Sequence, residues 1–260
     1  MDLGLAGKTA IVAASSKGLG KACALALAAE GARVTVCART EADLAAAAAE
    51  IRAATGAQVL AVPADLATAD GVDRVVAATL AQSGGVDVLV TNSGGPPRGT
   101  FADFGDDDWA AAFELVTLGF VRFVRAVLPN MRARRWGRII GIQSTSVKQP
   151  VGNIDLSNGI RPGIAGLVKA MAPGLAGDGI TINLVLPGSF RTDRMLAMLA
   201  DLPAAEAEAR LAALGSAVPM GRLGEPAELG SLVAFLASAH AAYITGAVYQ
   251  VDGGAIASNV

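Results

Sequence analysis

One histidine, two cysteines and two tyrosines are all that 260 residues hold of several side chains that bind metals, form nucleophile triads or pass protons. A zinc site draws on clustered His and Cys, and a Ser-His-Asp triad needs an imidazole beside the nucleophile. With His240 alone and no cysteine cluster, composition argues against both. Cys23 falls in a helical pattern and Cys37 in a strand pattern, so neither suggests a disulfide framework, and a reducing cytoplasm is the expected compartment. The apolar fraction is 53%, but it is broken into short runs, none near the ~20 residues a membrane helix needs. The start, Met1 to Lys8, lacks a basic segment followed by an apolar one, so no signal peptide is expected. Net charge is −2 with both signs interspersed, which offers no footprint for nucleic acid and no polybasic membrane patch.

What is present is alternation. Strand-length apolar runs (Thr9 to Ala14, Arg33 to Cys37, Val59 to Val62, Val86 to Thr91, Arg138 to Ile142, Thr181 to Leu186, Ala247 to Val251) are separated by helical stretches. The helices are expected at Lys21–Glu30, from Thr40 onward, and at roughly Ala69–Ser83, Asp107–Arg134, Leu156–Ala176 and Pro226–Ser238. Thr40 with Asp43 reads as a capping box. Strands apolar throughout are buried on both faces, which predicts a parallel sheet covered by helices. The expected fold is therefore α/β, a Rossmann-type doubly wound sheet of about seven strands. No repeat or linker divides the chain, so residues 1–260 are expected to form one domain.

Ligands of such sheets bind beyond the carboxyl ends of the strands. The first strand runs into Ala13-Ala14-Ser15-Ser16-Lys17-Gly18-Leu19-Gly20 and then a helix. Glycines there let the backbone approach a pyrophosphate, and the helix N-terminus favours its charge. After the second strand comes Ala38-Arg39-Thr40, with no acid at Ala38 or Arg39 to bind ribose hydroxyls. Arg39 and Lys17 could instead flank a 2′-phosphate, which favours NADP(H) over NAD(H).

The ordered set of motifs from about Gly7 to Gly254 resembles the short-chain dehydrogenase/reductase family, in particular its 3-oxoacyl carrier-protein reductases. The Ala13–Gly20 loop is similar to the family's TGxxxGxG turn, with Ala13 in place of the threonine and Ala14 in place of the first glycine. The methyl of Ala14 is expected to tighten the turn, provided that residue needs no positive φ. The resemblance implies that Ser16, Lys17, Gly18, Leu19 and Gly20 meet the cofactor phosphates. It implies that Asp65 and Leu66 contact the adenine, and that Asn92 and Gly94 sit in a strand-end turn beside the cofactor. It also implies that Pro187, Gly188 and Thr192 approach the nicotinamide.

The family's catalytic set is asparagine, serine, tyrosine and lysine. The resemblance puts those positions at Val116, Ser144, Ser157 and Arg161, so only the serine is kept. The two tyrosines, Tyr243 and Tyr249, lie in the closing segment and are expected to pack in or near the last strand. The substitutions matter energetically. A tyrosine titrates near 10 and a serine hydroxyl nearer bulk water, a gap of about five units or ~7 kcal/mol if Ser157 had to give up its proton. Arg161 keeps its proton, so it can hold a ribose or stabilise an oxyanion but is a poor acid. Lys148, just past the strand that carries Ser144, is a candidate substitute acid, and Asp155 is another. The expected activity is interconversion of a small-molecule carbonyl and alcohol through an atypical proton relay by water, Lys148 or the cofactor ribose. The competing reading is a non-catalytic dinucleotide-binding sensor or scaffold. The loop Gly94 to Arg98 could meet an anionic tail or simply be solvated. Apolar surface on the Leu156–Ala176 helix, together with the resemblance, implies a homodimer or homotetramer.

Overall fold

The structure, a computed structural model, describes residues 1–258. The chain forms β1 (Thr9–Ala13), α1 (Gly18–Ala29), β2 (Arg33–Ala38), α2 (Glu41–Thr55), β3 (Val59–Pro63), α3 (Ala69–Ser83) and β4 (Val88–Thr91). It continues with α4 (Asp106–Phe113), α5 (Gly119–Arg134), β5 (Gly137–Ile142), α6 (Asp155–Ala176) and β6 (Ile180–Pro187). It closes with α7 (Asp193–Ala197), α8 (Ala204–Ser216), α9 (Pro226–Ala237) and β7 (Val248–Val251). The seven strands form one parallel sheet in the order β3-β2-β1-β4-β5-β6-β7, a Rossmann-type doubly wound arrangement. Strand order reverses between β1 and β4, which opens a crevice at their carboxyl ends.

Alternation along each strand fills two cores. Ile11, Leu89, Ile139 and Ile182 point to one face and pack with Val75, Phe123, Val127 and Ile164 from α3, α5 and α6. Their neighbours Val12, Val90 and Ile140 point to the other and pack with Leu27, Leu44, Leu229 and Val233 from α1, α2 and α9. The period of two makes every central strand apolar on both sides. Buried Asn183 on β6 ties in the closing segment: its amide donates to the Ile244 carbonyl at 2.8 Å and accepts from Ala247 N–H at 3.1 Å.

Four expectations need correction. Residues 107–134 are not one helix, because a π-helical turn at Glu114–Leu118 separates α4 from α5 and buries Val116. Thr40 stands at the N-cap of α2 but makes no side-chain cap bond, its expected partner Asp43 being turned to Lys17. The stretch after β6, in which no helix was expected, holds α7 and α8. Tyr243 packs against nothing and is fully exposed, whereas Tyr249 lies in β7 against the second core. Among the described residues no helix is long and apolar enough to cross a membrane.

Candidate active site

The turn between β1 and α1 is built for close approach. A Cβ on Gly20 would collide with the Ala14 carbonyl oxygen, so only glycine fits there. Buried Ser15 pins the turn to β1 and β2, donating to Val12 O at 2.7 Å and accepting from Cys37 N–H at 3.0 Å. Asn92, at the end of β4, donates to Ala14 O at 3.3 Å. Ala14 itself has φ +48°, so the proviso attached to it fails: this position does need the left-handed region. An L side chain there costs on the order of 1–2 kcal/mol. The turn keeps its shape because the surrounding bonds over-determine it.

Beyond the turn lies a pocket faced by Ala14, Ser16, Lys17, Arg39, Asp65 and Leu66, with Ser93 and Gly94 across from them. The structure thus gathers most of the residues assigned to the phosphates and adenosine. Lys17 is only partly available, since it pairs with Asp43 at 2.9 Å. The Asp43 hydrogen bond and charge push its pKa above the ordinary lysine value. Arg39 makes none of the ion pairs or side-chain hydrogen bonds found among the described residues. One Asp65 oxygen accepts from Ala67 N–H at 3.1 Å and shapes its loop. A glycine-backed turn on a helix N-terminus, with an uncommitted arginine at the far end, fits a dinucleotide carrying a 2′-phosphate.

The segment after β6 folds across this cleft. Pro187 ends β6, and Gly188 N–H donates to Val251 O at 2.9 Å. Thr192 caps α7, its hydroxyl oxygen accepting from Met195 N–H at 3.4 Å. Asp193 then accepts from Gly18 N–H at 2.8 Å, which brings a carboxylate to the N-terminus of α1. Arg194 lies against Gly95, where a Cβ would stand 2.7 Å from its Nη1. The sequence reading missed Asp193 and Arg194; their only signal was position directly after Thr192.

The positions that the resemblance assigns to catalysis lie around the carboxyl end of β5. Ser144 Oγ accepts from Ser146 N–H at 3.1 Å and leaves its own proton free to donate. Arg161 Nε donates to Ser157 Oγ at 2.8 Å, one helical turn back on α6. Arg161 Nη1 donates to Gln143 Oε1 at 2.9 Å, and Ser146 Oγ lies 3.4 Å from Ser157 Oγ. Burial, then the charge of Arg194, pull the Arg161 guanidinium down to a pKa of about 10. Sequence reasoning did not single out Gln143 or Ser146; both are polar side chains buried at a strand end, a signal in principle readable.

Lys148 follows the short helical turn Thr145–Val147 and is half-buried. None of the bonds found among the described residues joins it to Ser144 or Ser157. Asp155 is engaged elsewhere, one oxygen accepting from Phe101 N–H at 2.8 Å and the other from Asn158 at 3.2 Å. No group of three or more His, Cys, Asp or Glu that could hold a metal occurs among the described residues.

Fold and cleft together define a dinucleotide-binding oxidoreductase scaffold, and the comparisons agree. Residues 13–255 match the family model described as enoyl-(acyl carrier protein) reductase. The chain belongs to the short-chain dehydrogenase/reductase family. It is 36% identical over 254 residues to a 3-oxoacyl-(acyl-carrier-protein) reductase of Vibrio cholerae, covering 97% of this chain and 98% of that one. It is 38% identical over 256 residues to a protein of that name from Synechocystis, with the same coverage. The solved structure of L-sorbose reductase from Gluconobacter frateurii, complexed with NADPH and L-sorbose, superposes with a TM-score of 0.94 at 33% identity, over 99% of this chain and all of that one.

Proposed function

We propose that this chain is an NADP(H)-dependent reductase that interconverts a carbonyl and an alcohol. We read residues 1–260 as one catalytic unit, working in the cytoplasm as a homo-oligomer. The relatives are named as reductases, and one is complexed with NADPH. The observation that carries the reading is Ser144, whose oxygen is held by Ser146 N–H while its proton remains free at the cleft.

When bound, the cofactor supplies a hydride to a carbonyl carbon and is left oxidised. The residues of this chain act on the oxygen. As hydride adds, the carbonyl π pair moves onto oxygen, where Ser144 donates a hydrogen bond to the developing alkoxide. The alkoxide then takes its proton from water. Ser157 does not need to give one up: it accepts from Arg161, which lowers the cost of negative charge beside it. Arg39 holds the 2′-phosphate, and Lys17, shared with Asp43, adds a smaller part.

Fluorescence titration tests the cofactor. NADPH should bind at least about tenfold tighter than NADH, ~1.4 kcal/mol, and Arg39→Asp should reverse the order. Equal affinities in the unaltered protein would remove the assignment. Loss of NADPH absorbance with small oxo compounds tests the chemistry, and Lys148→Met should leave the rate within about threefold. A hundredfold fall would make Lys148 the proton source. The replaced tyrosine and lysine positions favour one other reading, a non-catalytic dinucleotide sensor. It leads if NADPH binds and no carbonyl is turned over.

A further inference from the structure

Arg161 carries a charge that the protein does not balance. Its residue is 5% exposed, and both of its hydrogen bonds go to neutral acceptors, Ser157 Oγ and Gln143 Oε1. No ion pair among the described residues includes it. Elsewhere Arg122, Arg132, Arg134 and Arg222 each face a carboxylate, on Glu114, Asp178, Asp87 and Glu228. Arg138, the other buried arginine, has no carboxylate either, but it gives three hydrogen bonds to backbone carbonyls and lies over the Trp136 ring, 4.5 Å from its centroid. The one charged neighbour that perturbs Arg161 is Arg194, of the same sign. Buried charges are ordinarily paired, because taking an ion out of water unpaired is costly. Arg161 Nη2 makes no hydrogen bond among the described residues, yet it is not among the polar atoms sealed from solvent without a partner. It therefore reaches solvent at the carboxyl end of β5, beside Ser157 and beside Gln143, which lines a small hollow with Asn92 and Ser93.

We propose that Arg161 and Ser157 form the seat of a substrate carboxylate, so that the preferred substrate is a free oxo acid rather than the neutral ester of the same skeleton. The proposal rests on the reductase reading and names its substrate class. Ser157 accepts from Nε, and with Ser146 as the donor in their 3.4 Å contact its own proton is left to donate. A carboxylate can take Nη2–H on one oxygen and the Ser157 proton on the other. Ser146 Oγ, 3.4 Å from Ser157 Oγ, and Gln143, bonded to Nη1, hold the two donors in place. Ser144 serves the neighbouring carbonyl oxygen, so a 2-oxo or 3-oxo acid can reach both groups at once. The anion brings the countercharge that this part of the cleft lacks.

The test uses matched pairs with the full-length protein and NADPH: 2-oxobutyrate against its methyl ester, and acetoacetate against its methyl ester. The acid should exceed the ester in kcat/KM by roughly a hundredfold, the size expected for one partner of a desolvated charge pair. Arg161→Leu should abolish most of that preference, mainly through KM, and Arg161→Lys should keep part of it. Ser157→Ala, which leaves the charge in place, should raise KM for the acid several-fold and guards against a misfolded Arg161 variant. A second readout needs no turnover: calorimetric titration of the NADPH-loaded protein with 2-hydroxybutyrate should give binding, and with 2-hydroxybutyramide none. Esters used as well as acids, or the amide bound as tightly as the acid, would overturn the seat while leaving the reductase reading intact. An acid preference unchanged in Arg161→Leu, with NADPH affinity down more than about tenfold, would assign Arg161 to the cofactor and also overturn it. No turnover of either compound, with the hydroxy acid still bound and the amide not, would sink the reductase reading and leave the seat standing.

Discussion

Ala14 holds φ at +48°, where its methyl crowds the backbone, and the bonds from Ser15 and Asn92 keep it there. Glycine relieves that crowding at some entropic cost in the unfolded chain. Ala14→Gly should therefore raise stability by about 0.5–1 kcal/mol, or roughly 1–3 °C in melting temperature for a chain this long. A lower melting temperature would show that the turn is not strained. The pair Ser157 and Arg161 makes a sharper case. Restoring the family's side chains by Ser157→Tyr with Arg161→Lys puts a ring into a buried space now filled by a guanidinium and two hydroxyls, at a cost of about 1–3 kcal/mol. Tyrosine titrates about five units below serine, so the double variant should reduce methyl acetoacetate at least about tenfold faster and lose its preference for the acid. A folded, NADPH-binding double variant that gains nothing would mean that the proton step does not limit the rate. Cys23 and Cys37 are buried, and burial pushes the Cys37 thiol up to about 12 and Cys23 higher still. Neither should react with iodoacetamide at neutral pH in the folded protein. Ser144, Ser157 and Arg161 were legible only through the family resemblance, which puts positions of the catalytic set on them. Gln143 and Ser146 were not, since their role comes from how α6 lies across β5.

At the scale of elements, strands and long helices followed from periodicity, and the segments that shape the cleft did not. Short apolar runs, buried on both faces, wrote β1, β4, β5 and β6 plainly, and α3 begins and ends where its Thr68 cap and following Gly84 put it. The π-turn at Glu114–Leu118 carries no breaker in its sequence, so the pattern reads straight through it. Neither α7 nor α8 contributes to either core: α7 is five residues long, and α8 packs its Gly215 against Arg222, so an apolar period could not reveal them. Its anchor is the Asp193 contact with Gly18 N–H. That carboxylate sits at the helix end that is proposed to receive the cofactor pyrophosphate, and like charges at about 5 Å repel by ~1 kcal/mol even in water. Asp193→Asn keeps an acceptor for Gly18 and removes the charge. NADPH affinity should rise about fivefold, with the gain shrinking at high salt. A weaker complex would instead make Asp193 a clasp that holds α7 over the bound cofactor.

The whole molecule buries its sheet well but leaves one helical face unfinished. Val121 and Leu128 on α5 and Leu167 and Met171 on α6 are only partly covered, and with Phe120 and Val124 they line an apolar hollow rimmed by Arg125 and Arg132. Both helices already cover the sheet with their inner residues, Phe123, Val127, Ile160 and Ile164, so the outer row is surplus to the fold. A surplus apolar row on two adjacent helices suits a twofold contact, where each residue counts twice because the same surface comes from both copies. A stable contact of this kind needs roughly 800 Å² from each copy, which two helices of this length can supply. Light scattering at micromolar concentration should give a dimer or tetramer, and melting temperature should rise with protein concentration. Leu167→Glu places two carboxylates in the contact, one from each copy, and should halve the measured mass while circular dichroism stays unchanged. Substitution at exposed Tyr243, which does not line this hollow, should leave the mass alone. A monomer in the unaltered protein, or an unchanged mass in Leu167→Glu, would mean that this face does not join copies of the chain.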